Sequence, residues 1–464
     1  MNLEKRLSDI VGAKQVSTDP AELISYGQDW TRFYEPAPCA VVFPVEVAEV
    51  QEIVRLALRE NLALVPSGGR TGLSGGACAT SGELVVSFDR MNAIGPFSPE
   101  DRSVQVQPGV VTANLQAFAA RQDLFYPVDF ASSGSSQLGG NIATNAGGIR
   151  VIRYGLTRQW VSGLRVVTGT GELLELNRGL TKNATGYDLR HLFVGSEGTL
   201  GFIVEASMQL TEPPAPSRVM LLAVTGMAGC LAILNRFRAV LTLNAFEFFS
   251  ENALGHVTSH RGLSRPFSRP APFYVLVEYE ESDAAMLAFD QCVADGTAVD
   301  GVLAASERQN AELWQLREGI SESITPRTPF KNDISVRISQ VPAFLERIDE
   351  AVAAGYPGFE VVWFGHIGDG NLHLNILRPE EQAPDVFLRE CEQLNQQVLE
   401  IVGEFGGSVS AEHGVGLLKK DYLGYSRSPA EIESMHAIKR VFDPAGIMNP
   451  GKLLRDPDLD VVGQ

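Results

Sequence analysis

The spacing of apolar residues changes character along the chain. Val41–Val50 is largely apolar and leads into Val50–Glu60, where apolar positions recur at helical spacing. Leu62–Pro66 then reads as a short strand, which gives a β-α-β opening. Ser67–Gly76 is dominated by glycine and must be a loop. Leu84–Phe88, Ser103–Gln107 and Leu164–Thr168 read as strands, and Gly198–Leu210 closes this half as another. Pro213, Pro214 and Pro216 mark a linker. Beyond it, Val219–Val224, Phe273–Tyr279 and Phe359–Phe364 are strand-like, whereas Ala228–Leu241, Asp283–Ala294 and Val341–Ala354 are helix-like. This alternation predicts a sheet with helices on one face. Asp385–Gly403 and Pro429–Phe442 read as helices, the second ended by Asp443-Pro444.

One segment combines pattern and chemistry. In Trp363–Leu377 apolar residues flank Asp369-Gly370, which predicts a β-hairpin with a two-residue loop. Counting outward, His366 faces His373, and opposed residues share a side of the sheet with Cβ atoms roughly 4.5–5.5 Å apart. Two imidazoles at that spacing suit one metal ion. Glu412-His413 adds a carboxylate and a third imidazole, and the chain has only seven histidines to distribute. That pattern argues for a metal site with a catalytic base beside it.

Length and composition narrow the function. At 464 residues two or three domains are expected. Lysine and arginine total 38 against 56 acids, a net of −18, which opposes nonspecific binding to nucleic acid or anionic membrane. An anionic substrate therefore needs a local positive site. Met1–Ile10 reads as an amphipathic helix start without signal or transit character, and no apolar run is long enough to predict a membrane span. Five scattered cysteines without a CxxC pair fit a reducing, cytoplasmic setting.

The glycine tracts point to a dinucleotide. Pro66–Gly76 follows a strand, and glycines let successive N–H groups turn toward one anion. Gly139–Gly148 offers a second such cradle, whose small residues admit a flat ring. No G-x-G-x-x-G follows a strand, which argues against a Rossmann site. Gly446–Lys452 has the spacing of a phosphate loop, but Leu453 stands where Ser or Thr is required.

These tracts, together with Val194–Ile203, the histidine hairpin, Glu412-His413 and Asn449–Lys452, resemble FAD-linked oxidoreductases of the vanillyl-alcohol oxidase/p-cresol methylhydroxylase type. Within that type the resemblance is to the D-2-hydroxyacid dehydrogenases, those acting on D-2-hydroxyglutarate in particular, and it runs from about Ala40 to Leu454. It implies an α+β chain: a bilobed FAD-binding domain (1–213), an α+β cap domain (214–422) and a C-terminal helical segment (423–464) returning to the FAD domain. FAD would be held without a covalent tether, since the FAD half has only His191 and no tether motif. Ser67, Gly68, Gly69, Arg70, Thr71 and Gly72 would hold the pyrophosphate. Pro127, Asp129 and Ser133 would line the flavin, and Gly139, Gly140, Asn141, Ala143, Gly147 and Gly148 would pack along it. Glu197 and Ile203 would meet the adenosine end, and Asn449 the isoalloxazine. Val128-Asp129-Phe130 replaces the common Pro-Asp-Pro of the family.

The same resemblance makes His366, His373 and Glu412 ligands of Zn²⁺, with Mn²⁺, Co²⁺ or Fe²⁺ as alternatives of similar taste. The metal would take the substrate's C1 carboxylate and 2-hydroxyl, His413 would act as general base or support the metal, and hydride would pass to flavin N5. Arg317, with Ser321 and Lys331, would grip a distal carboxylate, and Asn371 would hydrogen-bond substrate or serve the turn. Expected partners are a small anionic 2-hydroxy acid (D-2-hydroxyglutarate, with D-malate second) and an electron-transfer flavoprotein or quinone; a homodimer would be unremarkable. Competing readings are a D-lactate or glycolate dehydrogenase, a flavin-free metallohydrolase and a noncatalytic flavoprotein subunit.

Overall fold

The structure, a computed structural model, describes residues 3–455, so the first two residues of the expected N-terminal helix and the end of the expected C-terminal segment lie outside it. Among the described residues there are three sheets. The described residues divide into two compact units: 3–148, 155–213 and 412–455 form the first, and 149–154 with 214–411 the second.

The first unit holds two sheets. In the four-stranded sheet, β2 (Ala40–Val42), β4 (Leu84–Ser87) and β3 (Leu64–Ser67) run parallel, with β1 (Val16–Ser17) antiparallel at the edge. The helix Val47–Glu60 makes the crossover, burying Val50, Ile53, Val54, Leu56 and Ala57. These apolar positions at helical spacing are what the sequence showed. The five-stranded sheet is antiparallel in the order β5 (Ile94–Ser98), β6 (Ser103–Val106), β9 (Gly201–Gln209), β7 (Val161–Thr168), β8 (Leu173–Leu176). The C-terminal helix Pro429–Phe442 belongs to this unit and packs Phe442 edge-on against Phe193.

The second unit is built on an antiparallel seven-stranded sheet in the order β13 (Ala298–Leu303), β10 (Ser217–Val224), β12 (Phe273–Glu280), β11 (Leu243–Ser250), β15 (Glu360–His366), β16 (Asn371–Leu377), β14 (Phe330–Ser335). Every residue of β11 is buried, on both sides of the pleat. Such a strand needs a layer on each face. One face packs Val219, Leu221, Phe249, Leu276 and Phe364 on the helices Glu251–Arg261, Glu307–Glu318 and Ile320–Ile324. The alternate residues, Met220, Leu222, Phe246, Phe248, Val275 and Val277, are equally buried. Helices therefore cover both faces, where the sequence pattern suggested one. No helix among the described residues is long and apolar enough to cross a membrane.

Candidate active site

The glycine tracts lie in the first unit. Ser67 ends β3 fully buried, and its hydroxyl has no hydrogen-bond partner among the described residues. Gly68, Gly69, Arg70, Thr71 and Gly72 continue the chain. A Cβ on Gly69 would stand 2.3 Å from the Ser135 carbonyl oxygen, so no other residue fits. Arg70 adopts φ 57° and lays its guanidinium over the Tyr26 ring at 4.3 Å, with a bond to the Gly68 carbonyl. The second tract forms the short helix Leu138–Thr144. Asn141 is buried and donates to Thr112, while Ala143 accepts the Glu197 N–H through its carbonyl. Gly139 lies against Pro108, and Gly148 against the Asp129 carbonyl in the Pro127–Ser133 segment. Gly140 differs: it is exposed, and a Cβ there would meet nothing within 4 Å.

Asn449 is held from below. The Asn449 and Leu64 backbones bond alongside β3, and the Asn449 amide donates to the Gly76 and Glu197 carbonyls at 2.9 and 2.7 Å. Its buried Oδ1, like Gln137 Oε1, has no partner among the described residues. Ile203 lies on β9 in the core. The Glu197 carboxylate is buried and accepts the backbone N–H groups of Val415 and Gly416 at 2.7 Å each. Burial pushes its pKa up, ahead of the two N–H bonds that pull it down. Glu197 thus clamps the loop following Glu412 and His413, whose side chains lie 3.5 Å apart.

In the second unit, one face of the sheet turns polar at β11, β15, β16 and β14. The pairings Phe248–Gly365 and Phe249–Phe364 set Glu247 opposite His366. His366 pairs with Asn371, and Asn371 with Ser335; one row on, Phe364 pairs with His373, and His373 with Asp333. The two imidazoles are therefore diagonal neighbours, not directly opposed as the two-residue turn had predicted. Such a turn needs positive φ at both central residues. Gly370 has it, at 86°, but Asp369 does not. The loop instead spans Ile367–Gly370, closed by the Asp369 and Gly370 N–H groups donating to the His366 carbonyl. The slip is by two residues, so both histidines stay on the same face, as strand periodicity requires. Their ring centroids are 5.4 Å apart, edge to face.

The groups around that pair were only partly foreseen. His366 Nδ1 lies 2.8 Å from Glu247 Oε1. Arg317, on the helix Glu307–Glu318, sets Nη2 2.7 Å from Glu247 Oε2 and its guanidinium over the Phe364 ring at 4.9 Å. Arg317 is buried, and its Nε has no acceptor among the described residues. One turn on, the Ser321 hydroxyl meets Lys331 Nζ at 3.2 Å. Lys331 is exposed, yet the protein around its ammonium lowers its pKa by desolvation. Asn371 donates to Asp333 at 2.8 Å and to the Ile334 carbonyl, and its buried Oδ1 has no partner among the described residues. The Ala411 N–H donates to the Asp333 carbonyl.

Residues 213–453 match the model for the C-terminal domain of FAD linked oxidases, and residues 38–177 match an FAD binding domain. The chain belongs to the FAD-linked oxidase family. It is 56% identical to the D-2-hydroxyglutarate dehydrogenase of Stutzerimonas stutzeri, covering 96% of this chain and 97% of that protein. It is 52% identical to the same-named protein of Xanthomonas citri, covering 97% of each. Among solved structures, p-cresol methylhydroxylase with substrate bound superposes with a TM-score of 0.77 at 17% identity, covering 98% of this chain and 96% of that one. That likeness shows the vanillyl-alcohol oxidase type of fold.

FAD fits the first unit. Ser67 Oγ, Gln137 Oε1 and Asn449 Oδ1 are buried polar atoms with no partner among the described residues, and Gly140, three residues beyond Gln137, leaves open space where a side chain would stand. His191, the one histidine before the Pro213 linker, is taken up by Arg158 at 3.0 Å and by Asp188. The donor set His366, His373 and Glu412 suits a divalent ion of zinc character. Sequence reasoning missed Gln137 and Glu247. Gln137 sits just before the second glycine tract, a position that could have drawn notice. Glu247 carried no motif signal at all.

Proposed function

We propose that this protein oxidises D-2-hydroxyglutarate to the 2-oxo acid, with D-malate, one methylene shorter, as a second substrate and an electron-transfer flavoprotein or quinone as acceptor. The observation that carries the reading is Arg317: a buried cation with an unfilled donor over the face that bears the histidine pair. Relatives more than half identical over nearly the whole chain bear the corresponding name.

When bound, FAD supplies a hydride acceptor and a divalent ion supplies Lewis acidity. His366, His373 and Glu412 would hold the ion. Arg317 binds the distal carboxylate through its free Nε–H, with Lys331 adding a second positive charge and Ser321 orienting that ammonium. Asn371 offers Oδ1 as an acceptor at the hairpin end. His413 takes the proton of the substrate's 2-hydroxyl on a ring nitrogen as general base. The backbone clamp from Glu197 holds the loop next to His413 while it does so. Ser67, Gly68–Gly72, Gln137, Gly140 and Asn449 would hold FAD without a covalent bond.

Lys331→Ala tests the assignment. A charge-assisted hydrogen bond is worth about 1.5–3 kcal/mol, and the exposure of Lys331 puts it at the lower end. The expected result is a KM for D-2-hydroxyglutarate raised about tenfold, with D-lactate turnover nearly unchanged, since D-lactate has no distal carboxylate. Equal losses on both would overturn the clamp. A wild-type preparation whose flavin is not bleached by anaerobic D-2-hydroxyglutarate would overturn the function.

A further inference from the structure

Glu247 is the most heavily buried charged group of the polar sheet face, with its side chain 1% exposed in the middle of a fully buried strand. Its neighbour across β12 is Leu276. Placing a carboxylate there costs several kcal/mol in lost hydration. Arg317 offsets that cost, but Arg317 is itself buried, and an apolar pair of equal volume would serve stability as well or better. The pair therefore has a purpose other than holding the fold together. Geometry shows what it reaches. Oε1 meets His366 Nδ1 at 2.8 Å, and Oε2 meets Arg317 Nη2 at 2.7 Å. One carboxylate is thus shared between the proposed metal ligand and the proposed substrate clamp.

The chemistry of the shared carboxylate follows. Next to the Arg317 guanidinium it is an acceptor only, so the His366 nitrogen facing it must carry the proton. That puts the ring's lone pair on His366 Nε2. Strand pairing brings the two side chains together, because Glu247 and His366 each lie one residue beyond the Phe248–Gly365 pair. On the other oxygen, the ion pair holds Arg317 flat over Phe364. The contact is close without the N–H line-up of a hydrogen bond, so Nε stays available.

We infer that Glu247 is the positioning residue of the active site, fixing His366 as the Nδ1–H tautomer, with its lone pair on Nε2 as the metal-ligating atom, while orienting Arg317 toward the substrate's distal carboxylate. This inference rests on the metal and clamp assignments above and names the residue that joins them.

The experiment uses FAD-loaded protein and zinc alone as the probe, with affinity read by competition against a chromophoric chelator. Losing a carboxylate partner behind a metal-bound histidine weakens metal binding about 10- to 100-fold. Glu247→Gln is expected to lose zinc affinity by that factor with its FAD content unchanged. In a His366→Ala background the same substitution should change zinc affinity less than twofold, because its effect passes through that ring. Glu247→Gln should also raise KM for D-2-hydroxyglutarate more than KM for D-lactate. Zinc affinity within twofold of wild type overturns the inference, as does an equal loss in the His366→Ala background. Wild-type protein that binds no divalent ion would instead overturn the metal reading itself. A measurement that needs no variant stands beside these. Two-bond ¹H–¹⁵N spectra of histidine-labelled wild type should show His366 protonated at Nδ1, and an Nε2–H tautomer refutes the inference.

Discussion

Asp443 is where a single change should do most damage to the flavin cradle. Its side chain is fully buried just past the C-terminal helix. It accepts three bonds, from Ile447 N at 3.1 Å, Met448 N at 2.9 Å and Lys439 Nζ at 2.8 Å. Lys439 in turn donates to the Thr199 and Met448 carbonyls. The loop so held lies along β3, where the Leu64 N–H donates to the Ile447 carbonyl, and it ends in Asn449. Asp443→Ala would strip a buried ion pair of one member and leave two backbone N–H groups without an acceptor. Breaking such a pair costs about 3–5 kcal/mol. That is a large part of the roughly 5–15 kcal/mol that holds an ordinary domain together. A protein of two units need not unfold in one step, so a local probe is better than a melting curve. Hydrogen exchange at the Ile447 and Met448 amides should accelerate by roughly two to four orders of magnitude, at 1.36 kcal/mol per factor of ten. FAD should be lost more readily in the same variant, because Asn449 loses its support. Asp443→Asn, which keeps the shape and one acceptor, should fall between. Acceleration of less than tenfold in Asp443→Ala would refute the reasoning, since the carboxylate would then not be what closes the loop.

Two further outcomes follow from the geometry. Gly140→Ala puts a methyl where no protein atom lies within 4 Å, inside a short helix, so the FAD-free protein should gain roughly 0.5–1 kcal/mol while FAD affinity falls. Titration with FAD and denaturant would show both, and unchanged affinity would remove the tract from the cofactor contact. Lys331 loses charge at a lower pH in the fold than the ordinary 10.5, so KM for D-2-hydroxyglutarate should begin to rise below that pH. The sign for stability is opposite: the unfolded chain binds more protons between the folded and unfolded pKa values, so this residue's contribution increases with pH there. Lys331→Arg, whose guanidinium stays charged, should abolish the alkaline rise in KM. A profile that is the same in both proteins would count against a charged Lys331 in binding.

What could be read from the chain divides along physical lines. The glycine tracts were legible because close backbone approach is a local need, seen at Gly69 against the Ser135 carbonyl. The helix Val47–Glu60 was legible for the same reason, its buried positions following one stripe. The hairpin was legible in face but not in register. Side-chain direction repeats every two residues, so an error of two in pairing left His366 and His373 on the same side. Turn geometry decided the register, and it hinged on φ at Asp369, which an Asp-Gly pair does not dictate. Glu247 could not be read at all. Its strand, Leu243–Ser250, is rich in phenylalanine, and nothing local says that its one acid will meet a histidine more than a hundred residues away. Arg317 was noticed for its charge, yet its pairing with Glu247 is a property of how the helix Glu307–Glu318 lies on the sheet.

The six residues 149–154 interrupt the first unit and count with the second. There Arg153 reaches Glu280 at 2.6 Å and Asn244 at 2.7 Å, and Arg150 lies 3.9 Å from Glu278. Anyone wishing to study the second unit as a separate piece would cut naturally at Pro214 and Ala411, and would discard those two arginines. The excised fragment would carry two glutamates stripped of their countercharges on a half-buried sheet face. Grafting Ile149–Tyr154 back through a linker is the simplest repair, and the topology says it must be supplied as an insertion, not as an extension of either end.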